Sequence, residues 1–203
     1  MTELSSSQLT PQIREHYEKG LAALSKGNLE YAAELLFQVV CLAPGFTEAR
    51  KNLRIAQKRL LEASPKKNTG AIGKKISSAI QTFKAMLKEQ KDDIAGAVTG
   101  YEQALYINPA NVTALRRLAG VLKQAKMAAA AIQTFEDLLE INPDDLDAAK
   151  NLAQLYSGAG NYEKAKGYFE KVLNVSPNDQ EAKKGLKDLD ALGTIKKTFG
   201  DNK

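Results

Sequence analysis

The sequence predicts an all-α solenoid of stacked antiparallel helix pairs, and three recurrences predict it. Asn108-Pro109, Asn142-Pro143 and Ser176-Pro177 lie 34 residues apart and then 34 again. Twelve residues before each proline stands an alanine (Ala97, Ala131, Ala165), and eight before it an aromatic ring (Tyr101, Phe135, Phe169). A fixed period of this length marks a helical repeat array. Each unit offers two amphipathic segments, such as 112–125 and 128–141, and then a polar turn. Proline cannot continue a helix, and it moves the residue before it out of the helical region. The alanines let two helix axes approach closely, while the aromatic fills the groove beside them. Such a pair cannot bury its apolar face alone, so neighbours must stack.

The elements follow in chain order. Residues 1–11 are expected to be disordered, and because they carry no charged-then-apolar leader the chain is expected to stay in the cytoplasm. Residues 12–63 read as a divergent repeat with Tyr17 and Leu36 as packing residues, Gly27-Asn28 as the inter-helix turn, and one extra helix. That helix, 47–63, places Ala49, Leu53, Ala56 and Leu60 on one face. Residues 64–74, with Pro65, Gly70, Gly73 and several lysines, read as a basic linker. A helix then restarts with Ile76, Ile80, Phe83 and Leu87 on one side, expected to face the core, and its inter-helix turn is expected to be one residue longer than standard. Pro44 and Pro109 are 65 residues apart, three short of two repeats, which fits a missing partner helix. Residues 75–193 then hold three repeats and a capping helix with Ala182, Leu186 and Leu189 inward. The tail 194–203 is expected to be loose. Whether the two blocks stack stays open.

At residues 146–179 the chain resembles the tetratricopeptide repeat family, through Leu152, Ala153, Tyr156, Gly160, Tyr162, Ala165, Phe169 and Pro177. Unit 112–145 carries Leu115, Leu118, Ala119, Leu122, Ala131, Phe135 and Pro143, and the N-terminal unit Gly20, Gly27, Ala32 and Pro44. The resemblance implies a right-handed superhelical solenoid of about four repeats plus a C-terminal capping helix. It also implies a protein-binding role, with ligand contacts on the concave side of each first helix. Carried onto this chain, those contacts are Thr113, Arg116, Arg117, Gly120, Lys123 and Gln124 in one unit, Lys150, Asn151 and Gln154 in the next, and Lys88 in the unit before. Arginine pairs suit carboxylates in bidentate geometry. The expected partner is therefore a peptide or protein segment of acidic character, against the alternative that these charges pair with Asp147, Glu181 and each other. Chaperone-binding members clamp a C-terminal carboxylate with a Lys/Asn, Asn, Lys/Arg set. Here Asn151 fits, but Arg116, Gly120, Glu181 and Gly185 stand where the others belong, so that clamp is not expected.

Composition excludes other classes. The lone Cys41, in an apolar stretch, reads as core and suits a reducing compartment, and the only histidine, His16, has no companions for a zinc site. No apolar run approaches the roughly 18–20 residues that span a bilayer. The run from Gly70 to Lys75 lacks the glycine spacing and the Ser/Thr of a phosphate loop, and Asp92-Asp93 and Asp144-Asp145 sit where helix starts attract acids. No nucleophile–base set exists, so neither an enzyme, a cofactor, a metal nor a small-molecule substrate is expected. Residues 51–91 hold eleven Lys/Arg against two acids, a net +9 beside −4 for the remainder, together the chain's +5. This opens two further readings: accessory binding to an anionic membrane surface or nucleic acid through 51–91, or a self-associating homo-oligomeric scaffold. Because the apolar residues of 76–87 are spaced to pack, the membrane and nucleic-acid readings rank below the adaptor.

Overall fold

A computed structural model describes residues 2–63 and 71–200, with side chains for 2–63 and 72–192. Among these residues every regular element is helical. After a short 3-10 turn at Ser6–Gln8 come α1 (Pro11–Ser25), α2 (Leu29–Leu42), α3 (Thr47–Ala63), α4 (Ala71–Gln90) and α5 (Ile94–Ile107). They are followed by α6 (Val112–Gln124), α7 (Ala128–Ile141), α8 (Leu146–Gly158), α9 (Tyr162–Val175) and α10 (Gln180–Gly200). The chain forms two compact units, Met1–Thr134 and Phe135–Lys203, a different division from the expected one at 64–74.

Local chemistry sets the boundaries. After each repeat proline the chain makes the same turn, in which Asn111, Asp145 and Asp179 donate their amides to Asn108, Asn142 and Ser176 at 3.1–3.2 Å. The same three residues then cap the next helix, accepting from the amides of Ala114, Ala148 and Ala182 at 2.9–3.0 Å. Asp93, Asn28 and Asn161 cap second helices in the same way. The turns inside each pair contain one residue at positive φ: Asp92 at 61°, Lys126 at 59° and Gly160 at 76°. These are 34 apart, so the turn before α5 is of standard length and the expected extra residue is not there.

In the first unit, α1 and α2 form the first hairpin. Gly20 gives a close approach there, since a Cβ would stand 3.0 Å from Leu36 Cγ. Residues 2–10, expected to be disordered, are tied down. The Leu4 amide donates to Gly45 O at 2.9 Å, Leu9 is buried in the N-terminal core, and Glu3 accepts from the Ala129 amide at 2.6 Å. Leu4 and Leu9 supply the apolar anchors that composition alone did not weigh. The N-terminal block also packs on the later helices of this unit: Phe37 of α2 stacks on Tyr106 of α5 at 4.4 Å.

Beneath that stack lies a buried ion cluster. Both oxygens of Glu102 in α5 accept from α3, one from Arg50 Nε at 2.6 Å and one from Arg54 Nη2 at 2.5 Å. Gln57 extends the row, accepting from Arg54 and donating to Leu105 O at 3.2 Å. Arg50, Arg54 and Gln57 recur at i, i+4 and i+7 of α3, a polar row beside the alanine–leucine face read from the sequence.

The expected packing of α4 is reversed. Its inner face is Ser78, Thr82 and Ala85, all buried, while Ile76, Ile80, Phe83 and Leu87 are exposed. The cause is the close approach of α5, where a Cβ on Gly100 would lie 2.8 Å from Ala85 Cβ. Only small side chains fit that gap. The hydroxyls inside it are satisfied, Ser78 donating to Ala104 O at 2.8 Å and Asn111 donating to Ser78 and Thr82 at 2.8 and 3.0 Å. Of the expected linker, 64–70 lie outside the described residues and 71–74 form the first turn of α4.

In the second unit α8 packs on α9, and α10 covers both, burying Ala182 and Leu189 with Leu186 half-buried. Tyr156 stacks on Tyr168 at 5.9 Å and donates to Glu136 at 2.5 Å. The backbone of α10 stays helical to Gly200, so 194–200 are not the loose tail expected.

Candidate protein-interaction surface

The first unit presents its candidate residues on α6. This helix buries Ala114, Leu115, Leu118, Ala119, Val121 and Leu122. Its 3.6-residue period therefore turns Thr113, Arg116, Arg117 and Gln124 to the exterior, with Gly120 and Lys123 at the border. A Cβ on Gly120 would meet nothing within 4 Å, so the surface is open at that point. Arg117, 47% exposed, stands 3.6 Å from Glu89 Oε1. The other oxygen of Glu89 accepts from the Tyr101 hydroxyl, so one carboxylate bridges the end of α4 to α5 and α6. Burial and then that carboxylate push the Tyr101 phenol well above its usual range, which keeps it a donor.

Lys88 does not join this face. With the period at 34, Lys88 of α4 corresponds to Leu122 of α6, and the residues that match Arg117 and Gly120 are Phe83 and Met86. Lys88 is exposed near the end of α4. The inserted residue assumed from the sequence displaced its register.

In the second unit Lys150, Asn151 and Gln154 share a face of α8, but they are engaged locally. Lys150 Nζ lies 3.4 Å from Asp147, 3.3 Å from Asp179 and 3.3 Å from Glu181. Burial pulls its pKa down, and the surrounding carboxylates more than restore it, so the ammonium stays charged. Gln154 donates to Glu181 at 2.6 Å and Asn151 donates to the Asp147 carbonyl at 2.8 Å. The charge of Lys150 is thus matched by the start of α10, as in the alternative weighed from the sequence. The signal was legible in Asp179, which both caps α10 and faces α8.

The half-buried Cys41 thiol is pushed up to about 11, by burial and then by Glu102, so it is protonated at neutral pH. Among the described residues no group of three or more His, Cys, Asp or Glu is placed to hold a metal, and no helix is long and apolar enough to cross a membrane.

The tetratricopeptide repeat family profile matches residues 89–152 and 122–189. Among solved structures, the tetratricopeptide domain of Arabidopsis OM64 is similar at 20% identity and a TM-score of 0.53, over 58% of this chain and 98% of that one. A tetratricopeptide repeat protein from Parabacteroides merdae is similar at 22% identity and 0.54, over 89% of this chain and 59% of that one. The first such domain of Spaghetti (RPAP3), solved with the HSP90 peptide SRMEEVD, is similar at 19% identity and 0.54, over 58% and 93%. At these identities the likeness is one of fold. A comparison with curated proteins finds no match.

Proposed function

The chain is a tetratricopeptide repeat protein, its repeats matched from residue 89 to 189, and from that premise we propose that it is a non-catalytic adaptor. It takes a partner segment with acidic side chains on the exposed face of α6. The observation that carries this is the adjacent pair Arg116 and Arg117, both exposed, with open surface at Gly120 one turn on. A half-exposed ion pair at 3.6 Å is worth little, so a partner carboxylate can replace Glu89 at Arg117 with small loss. The guanidinium fork adds bidentate geometry, and the missing side chain at Gly120 lets a ligand backbone lie close. The Spaghetti domain of the same fold binds an HSP90 peptide, which supports peptide capture as a use of this architecture. A lone cysteine with a protonated thiol fits a reducing compartment, and we place the adaptor in the cytoplasm.

Affinity capture from lysate, followed by quantification of bound proteins, tests the assignment. Arg116→Glu with Arg117→Glu is expected to lose the partners held by the wild type, while Lys84→Gln with Lys88→Gln keeps them. An unchanged partner set with the arginine variant would remove α6 from the interface. Concentration-dependent sedimentation of the wild type alone would instead favour the scaffold reading.

A further inference from the structure

The outer face of α4 holds Ile72, Ile76, Ile80, Phe83 and Leu87, each 42–74% exposed. Their spacing of four, four, three and four places them within an arc of roughly 80° over about 22 Å of helix. This is a continuous apolar ridge, and patches of this kind mark contact sites. One repeat later, Ile80 and Leu87 correspond to Ala114 and Val121, which are 0% and 1% exposed in α6. Two positions of the ridge are thus covered in α6, while Phe83 matches the exposed Arg117.

Charge identifies what covers it. Lys74, Lys75, Lys84 and Lys88 of α4 and Lys91 just beyond it are exposed. Among the described residues none of their ammonium groups has an ion-pair partner, whereas Lys19, Lys150 and Lys166 each do. Glu89, the only acid between Glu62 and Asp92, is turned inward to Tyr101 and Arg117. On the helical wheel Lys84 borders one edge of the ridge and Lys75 lies beyond the other, Lys91 follows the end of α4, and Lys66 and Lys67 precede α4 in the sequence.

We propose that α4 lies on an anionic phospholipid surface, its ridge entering the boundary between headgroups and acyl chains and its lysines meeting lipid phosphates. A large apolar face bordered by lysines, on a helix too charged to span, is the pattern of a helix lying in the interface plane. A bilayer moulds to a convex ridge without needing a matching groove, and lysine stems follow apolar surface while their heads reach the phosphates. Nucleic acid would use the lysines but leave the isoleucines uncovered, since bases stack on aromatic faces. A second copy docking ridge to ridge would bring two unpaired lysine rows together. The ridge lies on α4 and the arginine pair on α6, so one chain carries both a protein-binding and a membrane-binding surface.

The test is flotation of the full chain with vesicles of phosphatidylcholine alone or with about 30% phosphatidylglycerol. Binding is expected to the anionic vesicles only, and to weaken as salt is raised. Lys84→Gln with Lys88→Gln should weaken it by roughly tenfold or more. Ile80→Ser with Phe83→Ser should weaken it at least about tenfold, with an unchanged far-ultraviolet circular dichroism spectrum, since both sites are exposed. No binding to anionic vesicles at low salt, or binding unaffected by the Ile80/Phe83 variant, overturns the proposal. Sedimentation of the wild type as a dimer that the same variant dissociates would give the ridge to a second copy and overturn it as well.

Discussion

Burying a carboxylate between two guanidinium groups removes three ions from water at once, a cost repaid only by close geometry and full hydrogen bonding. Glu102 meets both conditions on its own side, with Arg50 and Arg54 at 2.6 and 2.5 Å on its separate oxygens, while Arg50 Nη1 is buried with no hydrogen-bond partner among the described residues. Arg50 is anchored again by its bond to Pro44 O at 2.9 Å. Glu102→Gln leaves two buried cations without their counter-charge and is expected to cost roughly 3–5 kcal/mol in urea unfolding. Burial alone would raise the Glu102 pKa, but the charges of Arg54 and Arg50 and their hydrogen bonds outweigh it, and the folded value lies below the ordinary one. The stabilisation is therefore complete above the unfolded carboxylate range and lost as pH falls through the folded value. The gap between wild type and Glu102→Gln should narrow in acid, and a gap constant with pH would show that Glu102 does not carry the cluster. This row could not be read in advance. Arg50, Arg54 and Gln57 look like a solvated face until a carboxylate some fifty residues away is placed against them.

For α4, helical periodicity separated two faces correctly and assigned the inside to the wrong one. Large apolar side chains are the usual guide to a core, but here the neighbouring helix sets a tighter condition. Ala97, Gly100 and Ala104 of α5 bring the axes so close that only Ser78, Thr82 and Ala85 fit opposite. Two substitutions separate the arrangements by melting. Ile80→Ser is expected to change stability by no more than about 0.5 kcal/mol, as an exposed site does. Gly100→Leu overpacks the α4–α5 contact and should cost roughly 1–3 kcal/mol. A large loss from Ile80→Ser with a silent Gly100→Leu would restore the inward ridge. The small residues Gly100 and Ala104, beside the repeat alanine Ala97, are the local signal of that close approach.

At the scale of the molecule, the N-terminal hairpin and α3 belong to the same compact unit as α4, α5 and α6. A chain beginning at residue 71 would expose Glu102 and the stacking face of Tyr106. It is expected to melt at lower temperature, with weaker amide protection in α5 than the whole chain shows. Equal protection in both would mean that residues 2–63 are dispensable to the array. The sequence by itself determined the repeat helices and their hairpin pairing, while the candidate face of α6 came with the family resemblance. The 34-residue period, the Pro turns, the Asn and Asp caps and the 3.6-residue spacing are all local and repeat within sight of each other. Only the tertiary structure decided that α3 meets α5, that α4 faces outward with its isoleucines, and that Lys150 is matched by the start of α10. Those outcomes depend on residues far apart in the chain, whose approach is governed by side-chain size across a helix contact and by which buried charge finds its counter-ion.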